Sequence, residues 1–214
     1  MAMQISGASL RRLPQYVSVL VRLAEEVQRH VTSAELARRL RLDETLVRKD
    51  LAMTKFAGKP RVGFGVPELL AHLRDFLGAQ HAKEAILVGA GRLGQALVAY
   101  HGFEKYNLSI VALFDTNPEK IGGQVEGRQI YPLWQAAAFA RRHGIRIAIL
   151  TVPSDAAQPV ADLLADAGVL AFWNFSGHPL NLPDPVVVLN EDLAESLAVL
   201  SHRVGKLTLV GAEE

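Results

Sequence analysis

Residues 85–100 read Ala-Ile-Leu-Val-Gly-Ala-Gly-Arg-Leu-Gly-Gln-Ala-Leu-Val-Ala-Tyr, and no other stretch restricts the fold so strongly. An apolar run ends at Gly89, glycines return at 91 and 94, and apolar residues at helical spacing follow. A strand that turns at once into a helix needs the first glycine for the turn. The second lets the backbone approach a diphosphate, and the third lets the helix pack close to the strand. The start of the helix then offers N–H groups and partial positive charge to phosphate. The next apolar run, "SIVALFD", ends at Asp115, 21 residues beyond Gly94. A carboxylate there accepts hydrogen bonds from the adenosine ribose and repels a 2′-phosphate, which favours NAD over NADP.

From residue 84 onward the pattern predicts a Rossmann-type doubly wound parallel sheet. Strands are expected at "AILVGA", "SIVALFD", "RIAILTV", "VLAFWNF" and "PVVVLN". Helices are expected at "RLGQALVAYHGF", "PLWQAAAFARRHG" and "AAQPVADLLADAG", with a final one at "EDLAESLAVLSHRVGKL". Short apolar strands bounded by glycine and alternating with helices mark a sheet covered on both faces. Ligands of such sheets lie beyond the carboxyl ends of the strands, so Thr151, Val152 and Pro153 are expected near the nicotinamide. Tyr100 either lines the same cleft or packs beside it.

The first third differs in charge. Residues 1–64 hold 12 Lys/Arg against 6 Asp/Glu, a net of +6, whereas residues 65–214 hold 11 against 16, a net of −5. Three helices are expected here. The first carries Leu13, Val17, Leu20, Val21 and Ala24 on one face. The second begins at Thr32/Ser33. The third begins at Asp43 with Leu46, Leu51 and Met53 available for packing. The link "RL" between the last two predicts a helix-turn-helix. "GKPRVGFGV" then suggests a β-hairpin wing, and "PELLAHLRDFLG" a linker helix opened by Pro67 and closed by Gly78. Arg48 and Lys49 point away from the Leu46/Leu51 side. Arg38, Arg39 and Arg41 precede them, and Lys55, Lys59 and Arg61 follow. Such a helix suits the major groove, with Arg for guanine edges and both cations for phosphates.

Cysteine is absent, which excludes disulfides, thiolate chemistry and thiol redox sensing. No leader-like segment and no long uncharged apolar run are seen, so a cytoplasmic protein away from membranes is expected. Of the seven histidines, only His178 follows a presumed strand. No catalytic residue and no metal ligand set is assigned. Two alternatives stay open: an NAD-dependent oxidoreductase with a small helical appendage, and a nucleotide-binding protein with altered or lost DNA binding.

"RRLPQY", "TSAELARRL", "VRKDL", "VGAGRLGQALVAY", "FDTNPEKIGG", "TVPSDAAQ" and "NFS" stand in this order along nearly the whole chain. In this it resembles the Rex family of redox-sensing transcriptional repressors. The resemblance implies a winged-helix DNA-binding domain over 1–78 and a Rossmann NAD(H)-binding domain over 79–189. It also implies a C-terminal helix and tail over 190–214, domain-swapped in a homodimer. NADH/NAD+ is the implied effector ligand, with NADH releasing the dimer from near-palindromic double-stranded operator DNA. The implied cofactor-binding residues are Gly89, Ala90, Gly91, Arg92, Leu93, Gly94, Tyr100, Asp115, Thr151, Val152, Pro153, Asn174 and Phe175. The implied DNA-binding residues are Arg11, Thr45, Arg48, Lys49, Lys55, Lys59, Arg61 and Phe64. Tyr100 and Asp192 match a pair that meets across the family's dimer, and a first-helix arginine partnering that aspartate is Ser18 here. The chain departs from the family at Ala52–Lys55, at the wing (Pro60–Phe64), and at Leu193, where a phenylalanine is usual.

Overall fold

The computed structural model describes residues 6–78 and 83–192, and beyond them 194, 195, 197, 198, 200–202 and 204. The chain divides near residue 82 into two compact units.

In the first unit, α1 (Gly7–Glu25) is followed by β1 (His30–Val31), α2 (Ser33–Leu40), α3 (Glu44–Met53), β2 (Phe64–Gly65) and α4 (Val66–Phe76). The helix starts follow the side chains available to cap them. Thr32 Oγ1 accepts from the Glu35 N–H at 3.1 Å and Asp43 Oδ1 from the Leu46 N–H at 3.1 Å. Between α2 and α3 the chain turns at Arg41, which takes the left-handed conformation. Antiparallel β1 and β2 pair His30 with Gly65 and Val31 with Phe64, and the wing turn leads into β2. The wing is shorter than a full hairpin: its two sides meet at one bridge, Lys59 with Gly63, and Arg61 sits at the tip with φ of 65°. The buried face of α1 is Ser9, Leu13, Tyr16, Val17, Leu20 and Leu23. Ala24, expected inside, is exposed, because the stripe runs one position earlier than the aliphatic residues suggest. On α3 the packed residues are Val47 and Leu51, with Leu46 and Met53 only half-buried.

In the second unit, β3 (Lys83–Val88), α5 (Arg92–Val98), β4 (Leu108–Asp115), β5 (Gln124–Val125) and β6 (Arg128–Pro132) come first. Then follow α6 (Ala136–His143), β7 (Ile147–Leu150), α7 (Ser154–Asp166), β8 (Ala171–Asn174) and β9 (Val187–Asn190). They form a 7-stranded sheet in the order β5-β6-β4-β3-β7-β8-β9, parallel except for the edge strand β5. The chain order reverses between β3 and β7, where an open sheet of this type places its ligand. Alternate residues of β3 face opposite sides. Ile86 and Val88 pack with α6 and α7, and Ala85 and Leu87 with Val98 of α5. The β5–β6 hairpin was not foreseen. Its turn is Glu126-Gly127, both at positive φ, and it occupies the connection where this fold often carries a helix.

Candidate functional site

Gly89 stands at φ 101°, and a Cβ there would lie 2.6 Å from the Thr151 carbonyl oxygen. Thr151 closes the turn by donating its hydroxyl to the Gly89 carbonyl at 2.7 Å. A Cβ on Gly94 would collide with the Gly89 backbone, so the third glycine sets how near α5 comes to the sheet. Gly91 faces open space, which is what an approaching diphosphate needs.

A cavity of about 510 Å³ runs from this turn to Asp115. Its lining includes Gly89, Gly91, Asp115, Thr151, Val152 and Pro153, all read from the sequence, and also Val88, Thr116, Asn117, Lys120, Leu133, Ala156 and Val160, which were not. Thr151, Val152 and Pro153, which follow β7, thus line the same cavity as the glycine turn and Asp115. Asp115 Oδ2 accepts from the Ala90 N–H at 2.8 Å and from Lys120 Nζ at 3.0 Å, and Oδ1 accepts from the Asn117 N–H at 2.8 Å. Burial pushes this carboxyl upward. The Asn117, Lys120 and Ala90 contacts outweigh it and hold the group below the usual carboxylate range. A carboxylate offers about four lone-pair positions, so one remains for a ribose hydroxyl. The remaining acceptor position thus fits a donating ribose hydroxyl.

The other nucleotide-side candidates are not among the residues that line this cavity. Arg92 and Leu93 are exposed at the start of α5. Buried Asn174 spends its amide on the His178 carbonyl and on Asn190, and its oxygen on Ser176, so it organises the loop after β8. Phe175 packs on Trp173, with ring centroids 4.6 Å apart. Tyr100 is 60% exposed and meets Phe103 edge-on. Asp192 accepts from the N–H groups of Ala194 and Glu195, Ser18 donates to the Pro14 carbonyl, and Leu193 lies outside the described residues. No group of side chains able to hold a metal ion is found among the described residues.

On the first unit, Arg11, Thr45, Arg48, Lys49, Lys55, Lys59 and Arg61 are all exposed. Phe64 is not free: its ring rests near Phe56 and against Gly58, where a Cβ would touch it at 2.9 Å. Behind the exposed cations lies a buried cluster absent from the sequence reading. Arg12 of α1 donates Nε and Nη2 to the two oxygens of Asp50 on α3, at 2.6 and 2.7 Å, and the Tyr16 hydroxyl donates to Oδ2 at 2.6 Å. Asp50 is wholly buried and Arg12 is 19% exposed.

The family described as "Putative DNA-binding protein N-terminus" matches residues 4–52, and "CoA binding domain" matches residues 80–178. The two matches together define a class, proteins with a DNA-binding type of head joined to a nucleotide-type α/β unit. The chain is 39% identical over 204 residues to the redox-sensing transcriptional repressor Rex of Porphyromonas gingivalis, covering 95% of this chain and 94% of that one. It is 36% identical over 195 residues to the Rex of Treponema denticola, covering 91% and 93%. The chain belongs to the Rex family of redox-sensing transcriptional repressors. Its relatives are regulators, which disposes of the oxidoreductase alternative. Among solved structures, RSP in complex with β-NAD+ and operator DNA matches with a TM-score of 0.91 at 33% identity, over 98% of this chain and 97% of that one. RSP in complex with β-NADH matches with a TM-score of 0.88 at 34% identity, over 98% and 99%.

Proposed function

We propose that the chain represses transcription by binding operator DNA through its basic head, and that NADH lodged unreacted in the second unit releases it. One observation carries this reading. RSP, which this chain matches over 98% of its length, is known both with β-NAD+ and operator DNA together and with β-NADH.

In this reading the head is 1–78, the nucleotide unit 79–189, and 190–214 the segment that crosses to a second copy in a homodimer. Asp115 binds the adenosine ribose, and Thr151, Val152 and Pro153 lie toward the nicotinamide. The backbone from Gly89 through Ala90, Gly91, Arg92 and Leu93 to Gly94 holds the diphosphate, and Thr151 braces it. Tyr100, Asn174 and Phe175 stand at the nicotinamide side. Arg48 reads base edges with Thr45. Lys49, Lys55, Lys59, Arg61 and Arg11 meet phosphates, and Phe64 supports the wing. Two heads place their α3 helices about one DNA turn apart, so the operator is near-palindromic. Among the described residues no helix is long and apolar enough to cross a membrane, and we place the protein in the cytoplasm.

Oxidised and reduced nicotinamide differ by one charge and by ring planarity. A nucleotide shifts a two-state equilibrium only by its difference in affinity for the two states. A tenfold preference supplies about 1.4 kcal/mol, and two sites per dimer about double that. The test is DNA affinity by fluorescence anisotropy, with duplexes selected from a random pool. NADH is expected to weaken binding at concentrations where NAD+ has little effect. An equal response to both nucleotides refutes the sensing role, and failure to select any duplex refutes the DNA role.

A further inference from the structure

The side chain expected to read base edges is not a free cation. Arg48 donates Nε to Ser33 Oγ at 3.2 Å and Nη2 to Glu44 Oε1, and Ser33 Oγ donates to the same Glu44 oxygen at 3.1 Å. The three form a closed ring that ties the first residue of α2 to the first two turns of α3. An isolated exposed i,i+4 pair is worth little and leaves both side chains mobile. A ring with a third member on another helix fixes the arginine rotamer.

The pattern of donors decides what such a ring is for. A guanidinium has five N–H groups in a planar fork. Ser33 and Glu44 take one each from the Nε–Nη2 edge. Both hydrogens on Nη1 and one on Nη2 remain, which is the end-on edge that matches guanine O6 and N7. That edge has no partner among the described residues, and the Arg48 side chain is 67% exposed. The acidic partner therefore holds the rear of the fork and leaves its reading edge available.

We infer that Glu44 and Ser33 are specificity-determining positioning residues that present Arg48, already oriented, to a guanine in the operator. This rests on the reading of α3 as the recognition helix. Glu44 has a second effect of opposite sign. Its carboxylate at the DNA surface repels phosphates, so it lowers affinity for every sequence while raising discrimination between them. A merely structural residue does not produce opposite changes in these two quantities.

The experiment uses the full chain and a duplex selected from a random pool, together with copies in which single guanines are replaced by 7-deazaguanine, which lacks N7. The ratio of the two Kd values at the contacted guanine is expected to be about tenfold for the unaltered chain and near one for Arg48→Ala. Glu44→Ala is expected to cut the ratio by about threefold or more, since a loose arginine must be ordered on binding. The same variant should bind an unrelated duplex more tightly. Ser33→Ala should also lower the ratio, and Glu44→Gln, which keeps an acceptor oxygen, should preserve most of it. An unchanged ratio in Glu44→Ala overturns the inference, as does equal tightening on both duplexes. If Arg48→Ala leaves the ratio intact, the assignment of α3 to base reading fails first, and the inference falls with it.

Discussion

Replacing Asp50 by alanine should unfold or nearly unfold the DNA-binding unit while leaving the nucleotide unit in place. The carboxylate is buried, and it receives two hydrogen bonds from Arg12 and one from Tyr16. Removing it strands a guanidinium that is only 19% exposed and a phenol that is wholly buried. Breaking a buried pair from one side costs about 3–5 kcal/mol. A unit of roughly 80 residues has about 4–12 kcal/mol of stability in all. Both tryptophans, Trp134 and Trp173, belong to the second unit, so their fluorescence reports that unit alone. Urea titrations followed by circular dichroism and by fluorescence then separate the two transitions. The dichroism transition of the head should move to much lower urea, with the fluorescence transition unmoved. Arg12→Ala combined with Asp50→Ala should cost less than the two single changes added together, because the double variant no longer buries a stranded charge. A loss below about 1 kcal/mol in Asp50→Ala, or strict additivity, refutes the cluster's role. Acid gives an independent check. Burial raises the Asp50 carboxyl, but Arg12, Tyr16 and Ser9 hold it below its ordinary value. The folded head therefore binds fewer protons than the unfolded chain. Its stabilisation by Asp50 is present above about pH 4 and lost as pH falls through the depressed folded value.

Asp115→Ala should weaken NADH binding roughly 10–100-fold, the worth of a hydrogen bond to a charged group, with Asp115→Asn in between, as read by calorimetry. Because Asp115 is held below the usual carboxylate range, that affinity should show no step from this group between about pH 5 and 8. Gly94→Val should push α5 off the sheet and lower the tryptophan-detected transition, since even a Cβ there meets the Gly89 backbone; an unshifted midpoint would remove the packing argument. Arg48→Ala should cost about 1–3 kcal/mol on the selected duplex and leave the NADH titration unchanged.

The sheet was legible because its signals are local and redundant. Glycine follows β3, the helix begins three residues later, and the carboxylate that ends β4 comes at a spacing the fold itself imposes. The β5–β6 hairpin was missed although its turn was written in the chain. Glu126-Gly127, both at positive φ, is the kind of pair a two-residue hairpin asks for, but strands of two and five residues give too little alternation to register. In α1 the expected stripe favoured Val21 and Ala24 over Tyr16 and Leu23. A tyrosine is buried only if its hydroxyl finds a partner, and that partner, Asp50, lies 34 residues away.

The site residues divide along the same line. Asp115 could be found from spacing alone. Lys120 could not, because it reaches Asp115 only after Asn117 turns the chain, its Oδ1 accepting from the Glu119 N–H at 2.9 Å. The pairing of Arg12 with Asp50 and of Arg48 with Glu44 and Ser33 depends on how three helices are rotated against one another. Arg11 and Arg12 are neighbours in sequence and identical in chemistry. A rotation of α1 by one residue, about 100°, would bury the first and expose the second. What selects Arg12 is the packing of Leu13, Tyr16, Val17 and Leu20 into the head's core, which turns Arg12 toward α3 and leaves Arg11 to solvent. The charged residues of this head thus take their roles from the apolar face behind them, and a change in that face should reassign which arginine is structural and which is offered to DNA.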